Sequence, residues 1–163
     1  MSTVDRLLQR LLSPTVEGLV GKALDEQGVD RLYRYRVHGD RSRLHIDPSA
    51  VVNNALFNLS SGDISIGRHA FFGHNVAVLT GTHDITLFGQ QRQATIPSTG
   101  RDVVVEEGAW IASDALVLGP CTIGAHAVVG AGSLVTADVD AYAVVAGRPA
   151  KKLRSVDPSQ NPS

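Results

Sequence analysis

From Val105 to Asp140 the chain reads as six hexads without a gap: VEEGAW, IASDAL, VLGPCT, IGAHAV, VGAGSL and VTADVD. The first position is Val or Ile in every hexad. The fifth is Ala, Ala, Cys, Ala, Ser and Val, so it is always small or compact. A period of six matches neither the 3.6-residue helix nor the two-residue alternation of a half-buried strand. It matches a chain winding round a triangular prism, one hexad to each flat face. The β-branched residue then points inward from the face, and the small residue packs near the corner. The expectation is an all-β core of parallel strands, coiled rather than sandwiched.

Breaks in the register locate what is not coil. IGRHAF, FGHNVA and VLTGTH follow from Ile66, while IDPSAV from Ile46 and VNNALF from Val52 look like earlier faces. Ile46 to Ile66 spans 20 residues, two more than three hexads, which predicts a bulge near the SSGD stretch. Val78 to Val105 spans 27, three more than four hexads, so the stretch between is not continuous coil. The segment HDITLFGQQRQATIPSTGRD therefore reads as a loop thrown out of the prism, with His83 opening it. The expected organisation is a helical or irregular extension over 1–45 and a coil over 46–148 with a loop at about 83–104. A short helix over 149–154 and a flexible tail over 155–163 follow. Val4, Leu7, Leu8, Leu11 and Leu12 have helical spacing closed by Ser13-Pro14, and residues 15–28 read as a second helix.

Composition narrows the class. Only 5 % of the 163 residues are aromatic, which suits a narrow core of aliphatics. The formal net charge of −1 provides no overall field for nucleic acid. A lone cysteine permits no intrachain disulfide and favours a reducing compartment. No apolar run approaches the roughly 20 residues of a membrane helix, and no signal peptide is visible. The expected location is the cytoplasm.

Several side chains invite a chemical reading. His83 stands at a register break, on a loop carried by a rigid scaffold, where function usually sits. Imidazole is the side chain best suited to proton removal near pH 7. Asn53 suits either ligand binding or a coil corner, where Asn tolerates positive φ. Trp110 falls at an outward sixth position, facing a ligand or a subunit contact, whereas Cys121 falls at an inward fifth position and reads as core. The run Arg31, Arg34, Arg36, Arg41 and Arg43 reads as a solvated face or a contact for an anionic acceptor. His69 and His74 hint at zinc, as in γ-class carbonic anhydrases built on the same prism, but both face outward and lack a properly spaced third histidine. A non-catalytic assembly module is a further alternative.

Taken together, NVAVLTGTHD, GAWIASDALVLGPCTIGAHAVVGAGSLVTADV and VVAGRPAKKLR resemble the hexapeptide-repeat acyltransferases over residues 46–154. They look closest to the sugar and polysaccharide O-acetyltransferase branch, which includes maltose and galactoside acetyltransferases. The resemblance implies a left-handed coil; the period alone permits either hand. It also implies a homotrimer and transfer of acetyl from acetyl-CoA, as co-substrate, to a sugar hydroxyl, with no metal. His83 matches the family's general base and Asn53 its acceptor-binding asparagine, with Asn54 adjacent. Trp110, Ser113, Ala131, Thr136 and Arg154 match coenzyme A contacts, with Lys151 and Lys152 nearby. Two positions depart from the pattern: Ser61 stands where an acceptor-binding aspartate is expected, and Ala137 replaces a basic residue. N-acylation of an amino sugar on the same fold is the alternative reaction.

Overall fold

The computed structural model describes residues 34–160, so the two helices expected over 4–12 and 15–28, and Arg31, lie outside the described residues. The hexads form the predicted prism. Its first face holds β1 (Arg36–His38), β3 (Leu56–Asn58), β6 (Ala77–Leu79), β9 (Leu116–Leu118) and β12 (Leu134–Val135), hydrogen-bonded in that order. The second face holds β2 (Leu44–Ile46), β4 (Ile64–Ile66), β7 (Val103–Val105) and β10 (Cys121–Ile123). The third holds β5 (Phe71–Phe72), β8 (Trp110–Ile111), β11 (Val128–Val129), β13 (Ala143–Gly147) and β14 (Ala150–Ser155). All pairings are parallel except β13 with β14. The chain thus visits the first, second and third faces in turn, and each circuit stacks on the one before.

Inward rows explain the hexad code. The first positions Val105, Ile111, Val117, Ile123, Val129 and Val135 are all buried, as are the fifth positions Ala109, Ala115, Cys121, Ala127, Ser133 and Val139. The early circuits use larger residues. Phe57 is fully buried, meeting Tyr35 edge-on at 5.7 Å and Phe72 at 6.2 Å between ring centroids. Corners take the left-handed backbone: Asn53, His69, Asn75, Asp114, His126 and Tyr142 all have positive φ.

The coil begins earlier than expected. β1 and β2 lay down two faces of an earlier circuit, which reaches the third at the Val51–Phe71 bridge, with Tyr35, Val37, Leu44 and Ile46 packed against the core. The bulge near SSGD is present: Ile64 follows the inward Phe57 by seven residues, whereas Cys121 follows Val117 by four, two circuits higher. The short helix expected over 149–154 is instead β14, antiparallel to β13. A coil's last strand leaves an open row of N–H and C=O groups, and folding back the terminus covers that edge, overriding the helical appearance of PAKKLR. The expected tail from 155 starts inside this strand, and Pro158–Gln160 form a 3-10 turn.

Candidate active site

The loop leaves the first face after Leu79 and returns to the second at Val103, where a neighbouring circuit needs only a tight corner. Within it lies one short helix, α1 (Gly89–Ala94), absent from the sequence expectation of an irregular loop. Its root is bracketed by polar groups that sequence reasoning missed. Ser61, fully buried, donates its N–H to the Thr80 hydroxyl, accepts the Arg101 N–H at its carbonyl, and accepts the Thr82 N–H at Oγ. One serine therefore holds both ends of the loop, in the place where the family pattern leads one to expect an acceptor-binding aspartate. Arg43 pairs with Asp63 at 2.6 Å and donates to the carbonyls of Leu59 and Ser98, tying the returning arm to the coil. Arg101 donates to the Thr80 carbonyl. Its own backbone runs between Gly62 and Gly119, where an added Cβ on either side would stand 2.5 Å or less from the Arg101 carbonyl group. No side chain fits at those two positions.

His83 is exposed at the start of the loop, and its Nδ1 lies 2.8 Å from the Arg92 carbonyl oxygen. A carbonyl oxygen only accepts, so Nδ1 carries the proton and Nε2 of the neutral ring presents its lone pair outward. That tautomer is the one a general base needs. Asp84 follows in a tight turn, its carboxyl held below the usual carboxylate range by hydrogen bonds from the Thr86 hydroxyl and N–H.

The other expected site residues are distributed over the prism. Asn53 lies at the corner between the third and first faces, with φ 43°, and donates to the Phe72 carbonyl at 2.7 Å. Asn54 is occupied at both ends of its amide by Asn75, in a ladder that continues to Asp114. Ser113 and Ala131 lie along the same edge, where Ser113 accepts the Gly132 N–H at its carbonyl and the His74 N–H at Oγ. Trp110 and Arg154 share one outward row of the third face, running Phe71, Trp110, Val128, Val144 and Arg154 through successive register partners. Trp110 stacks on Phe71 with 5.6 Å between centroids, and 43 % of its surface remains exposed. Thr136 follows β12, at the same edge of the prism as the loop root. One chain therefore separates the expected residues: His83 and Thr136 on one edge, Asn53, Ser113 and Ala131 on another, Trp110 and Arg154 on the third face.

The bland readings resolve individually. Cys121 is buried, and burial pushes its thiol up to about 11, which suits core and not nucleophile. Of the arginine run, Arg43 is a loop bracket and Arg41 lies 5.7 Å from the centre of the Tyr35 ring. His69 sits at a corner with positive φ, and among the described residues no group of three His, Cys, Asp or Glu is placed to hold a metal ion. Among the same residues no helix is long and apolar enough to cross a membrane.

Residues 102–137 match the family model for the bacterial transferase hexapeptide (six repeats). The chain is 33 % identical over 116 residues to the galactoside O-acetyltransferase of Lactococcus lactis subsp. lactis, covering 71 % of this chain and 55 % of that relative. It therefore spans about half the length of that curated relative. The crystal structure of a maltose O-acetyltransferase from Clostridium difficile superposes with a TM-score of 0.54 at 26 % identity, over 76 % of this chain and 67 % of that one. A hexapeptide-repeat acetyltransferase from Vibrio cholerae, in complex with acetyl coenzyme A, gives 0.54 at 25 % identity, over 83 % and 78 %. With its buried hexad rows, its three parallel faces and these likenesses, the chain carries the transferase hexapeptide repeat over residues 102–137 and has the left-handed β-helix fold of the hexapeptide-repeat acetyltransferases it resembles.

Proposed function

We propose that the protein transfers an acetyl group from acetyl-CoA to a hydroxyl of a sugar or polysaccharide precursor, with His83 as general base. The observation that carries this reading is the His83 ring, fixed through Nδ1 by a backbone carbonyl and presenting Nε2 at the start of the extruded loop. In the reaction the acceptor oxygen forms a bond to the thioester carbonyl carbon while its proton passes to Nε2. The carbon–sulfur bond then breaks, and the proton goes from Nε2 to the departing thiolate, which returns the ring to its starting state. A positioned base contributes about 10²- to 10⁴-fold to such a step. Asn53 keeps its side-chain oxygen for an acceptor hydroxyl, since its nitrogen is spent on the Phe72 carbonyl. Trp110 and Arg154, in one outward row, offer an apolar surface and a cation to the pantetheine and phosphates of the donor.

The active unit we infer is a homotrimer. Two faces of the prism are apolar outside as well as inside: the first through Leu56, Leu79, Leu116, Leu118 and Leu134, the third through Val51, Phe71 and Trp110. The second presents His45, Ser65, Val104 and Thr122 instead. A closed ring needs each subunit to offer two different surfaces to its two neighbours. Such a ring also sets the His83 edge of one subunit against an edge or face of the next, which one chain alone does not supply. Light scattering at micromolar concentration should give three times the chain mass; a stable monomer contradicts this arrangement.

Bond chemistry tests the reaction. The protein is incubated with labelled acetyl-CoA and a panel of sugars and amino sugars, and the products are treated with alkaline hydroxylamine. An ester releases its label and an amide retains it. Released label supports the O-acetyl reading, and label retained throughout contradicts it.

A further inference from the structure

The His83 ring is aimed by the Arg92 carbonyl, so whatever fixes Arg92 also aims the base. Its helix, α1, supplies little of that fixity. It has six residues, no side-chain cap at its N-terminus and no buried residue, and a helix that short is marginal by itself. The Arg92 side chain supplies more. Its Nε donates to the Leu87 carbonyl at 2.5 Å, and its Nη2 to the Ile85 carbonyl at 3.2 Å. Its guanidinium carbon lies 4.8 Å from the centre of the Phe88 ring. One planar fork thus joins the outgoing stretch 85–88 to the helix, while the backbone of the same residue accepts the histidine N–H at 2.8 Å. A second tie, from the Asp84 N–H to the Thr95 carbonyl at 3.3 Å, closes the loop just beyond it.

We propose that Arg92 is a positioning residue for His83: its guanidinium, forked across the Ile85 and Leu87 carbonyls, holds its own carbonyl where it fixes the imidazole as the Nδ1–H tautomer. This rests on the reading of His83 as base. The Arg92 guanidinium is taken up by the Leu87 and Ile85 carbonyls and the Phe88 ring, so its loss should act on the aim of the ring and not on donor binding. Lysine does not replace it, because an ammonium on a flexible stem lacks the planar fork that meets two carbonyls and a ring at once.

The test uses the full chain labelled with ¹⁵N-histidine, in wild-type, Arg92→Ala, Arg92→Lys and His83→Ala forms. Ring nitrogen shifts report the His83 tautomer without any turnover. The wild-type ring should show Nδ1–H, and in Arg92→Ala the signal should move toward the Nε2–H form. In the same variant kcat should fall about tenfold or more, with the KM for acetyl-CoA changed by less than about twofold and the melting temperature kept. Arg92→Lys, which reaches at most one carbonyl, should fall between the two. An unchanged Nδ1–H signal in Arg92→Ala overturns the proposal, and so does a wild-type kcat in Arg92→Ala when His83→Ala is inactive. Normal turnover in His83→Ala overturns the base reading instead, and the nitrogen shifts still decide whether Arg92 holds the ring.

Discussion

The coil and the loop that leaves it are built on opposite terms. Around the prism, burial repeats: every first and fifth hexad residue from Val105 to Val139 is buried, and each strand inside a face pairs with the circuits above and below. In the loop no residue of α1 is buried, and Ile85 and Phe88 are 79 % and 76 % exposed. Its shape comes from a few polar brackets: Ser61, Arg43 and Arg101 at the root, Arg92 near the tip. The coil is therefore sensitive to lost volume and the loop to lost hydrogen bonds. Coil substitutions should change stability with little effect on chemistry, and loop substitutions the reverse.

The sharpest way to break that contrast is to damage the coil. Phe57→Ala empties a fully buried site between Tyr35 and Phe72 and should cost about 3–5 kcal/mol in denaturant unfolding. The folded fraction should retain wild-type KM; a cost below about 1 kcal/mol would mean that the early circuits are not part of the core. Ser61→Ala probes the border between the two regions. It leaves the Thr82 N–H without its acceptor in a part-buried bracket, which should cost about 1 kcal/mol, and it should lower kcat by loosening the loop root. Wild-type kcat with lowered stability would place Ser61 in the coil alone.

Smaller effects sharpen the comparison on the outer surface. Trp110→Ala and Arg154→Ala should each raise the KM for acetyl-CoA about tenfold or less, with kcat nearly kept, because contacts far from the reacting carbon bind donor and transition state alike. Unchanged KM in both would remove the third face from the donor site. The smallest effect concerns Cys121. Its thiol is raised from 9.0 to about 11, first by burial and then by Asp138. A folded-state value above the unfolded one means that its contribution is complete below pH 9 and lost as pH rises toward 11. The wild type should lose slightly more stability across that window than Cys121→Ala, and identical pH profiles would show the thiol to be solvated.

What the sequence made legible follows from the same contrast. Inward positions recur because each circuit meets the same geometry, so VEEGAW through VTADVD announce the coil without any knowledge of contacts. The place of His83 at the start of the loop was legible because the loop interrupts that period. The first circuit was not: Tyr35, Val37, Leu44 and Ile46 reach the core through a seven-residue corner, which erases the six-residue spacing. Nor was β14, since Lys151, Lys152 and Arg154 carry no period-two apolar pattern and pair only because β13 leaves an open edge. The side chains of Ser61 and Arg92 hydrogen-bond to backbone atoms, and such bonds leave no residue-type signature at their partners.

That the coil supplies position and His83 the chemistry can be decided by measuring one variant in two ways. His83→Ala should bind acetyl-CoA in calorimetry with wild-type affinity and keep its melting temperature, because the ring is exposed and its hydrogen bond goes to the Arg92 carbonyl of an exposed helix. Its turnover, followed by thiol release with the acceptor found active for the wild type, should fall about a hundredfold or more. Normal turnover at normal donor affinity would contradict the claim and remove His83 from the reaction.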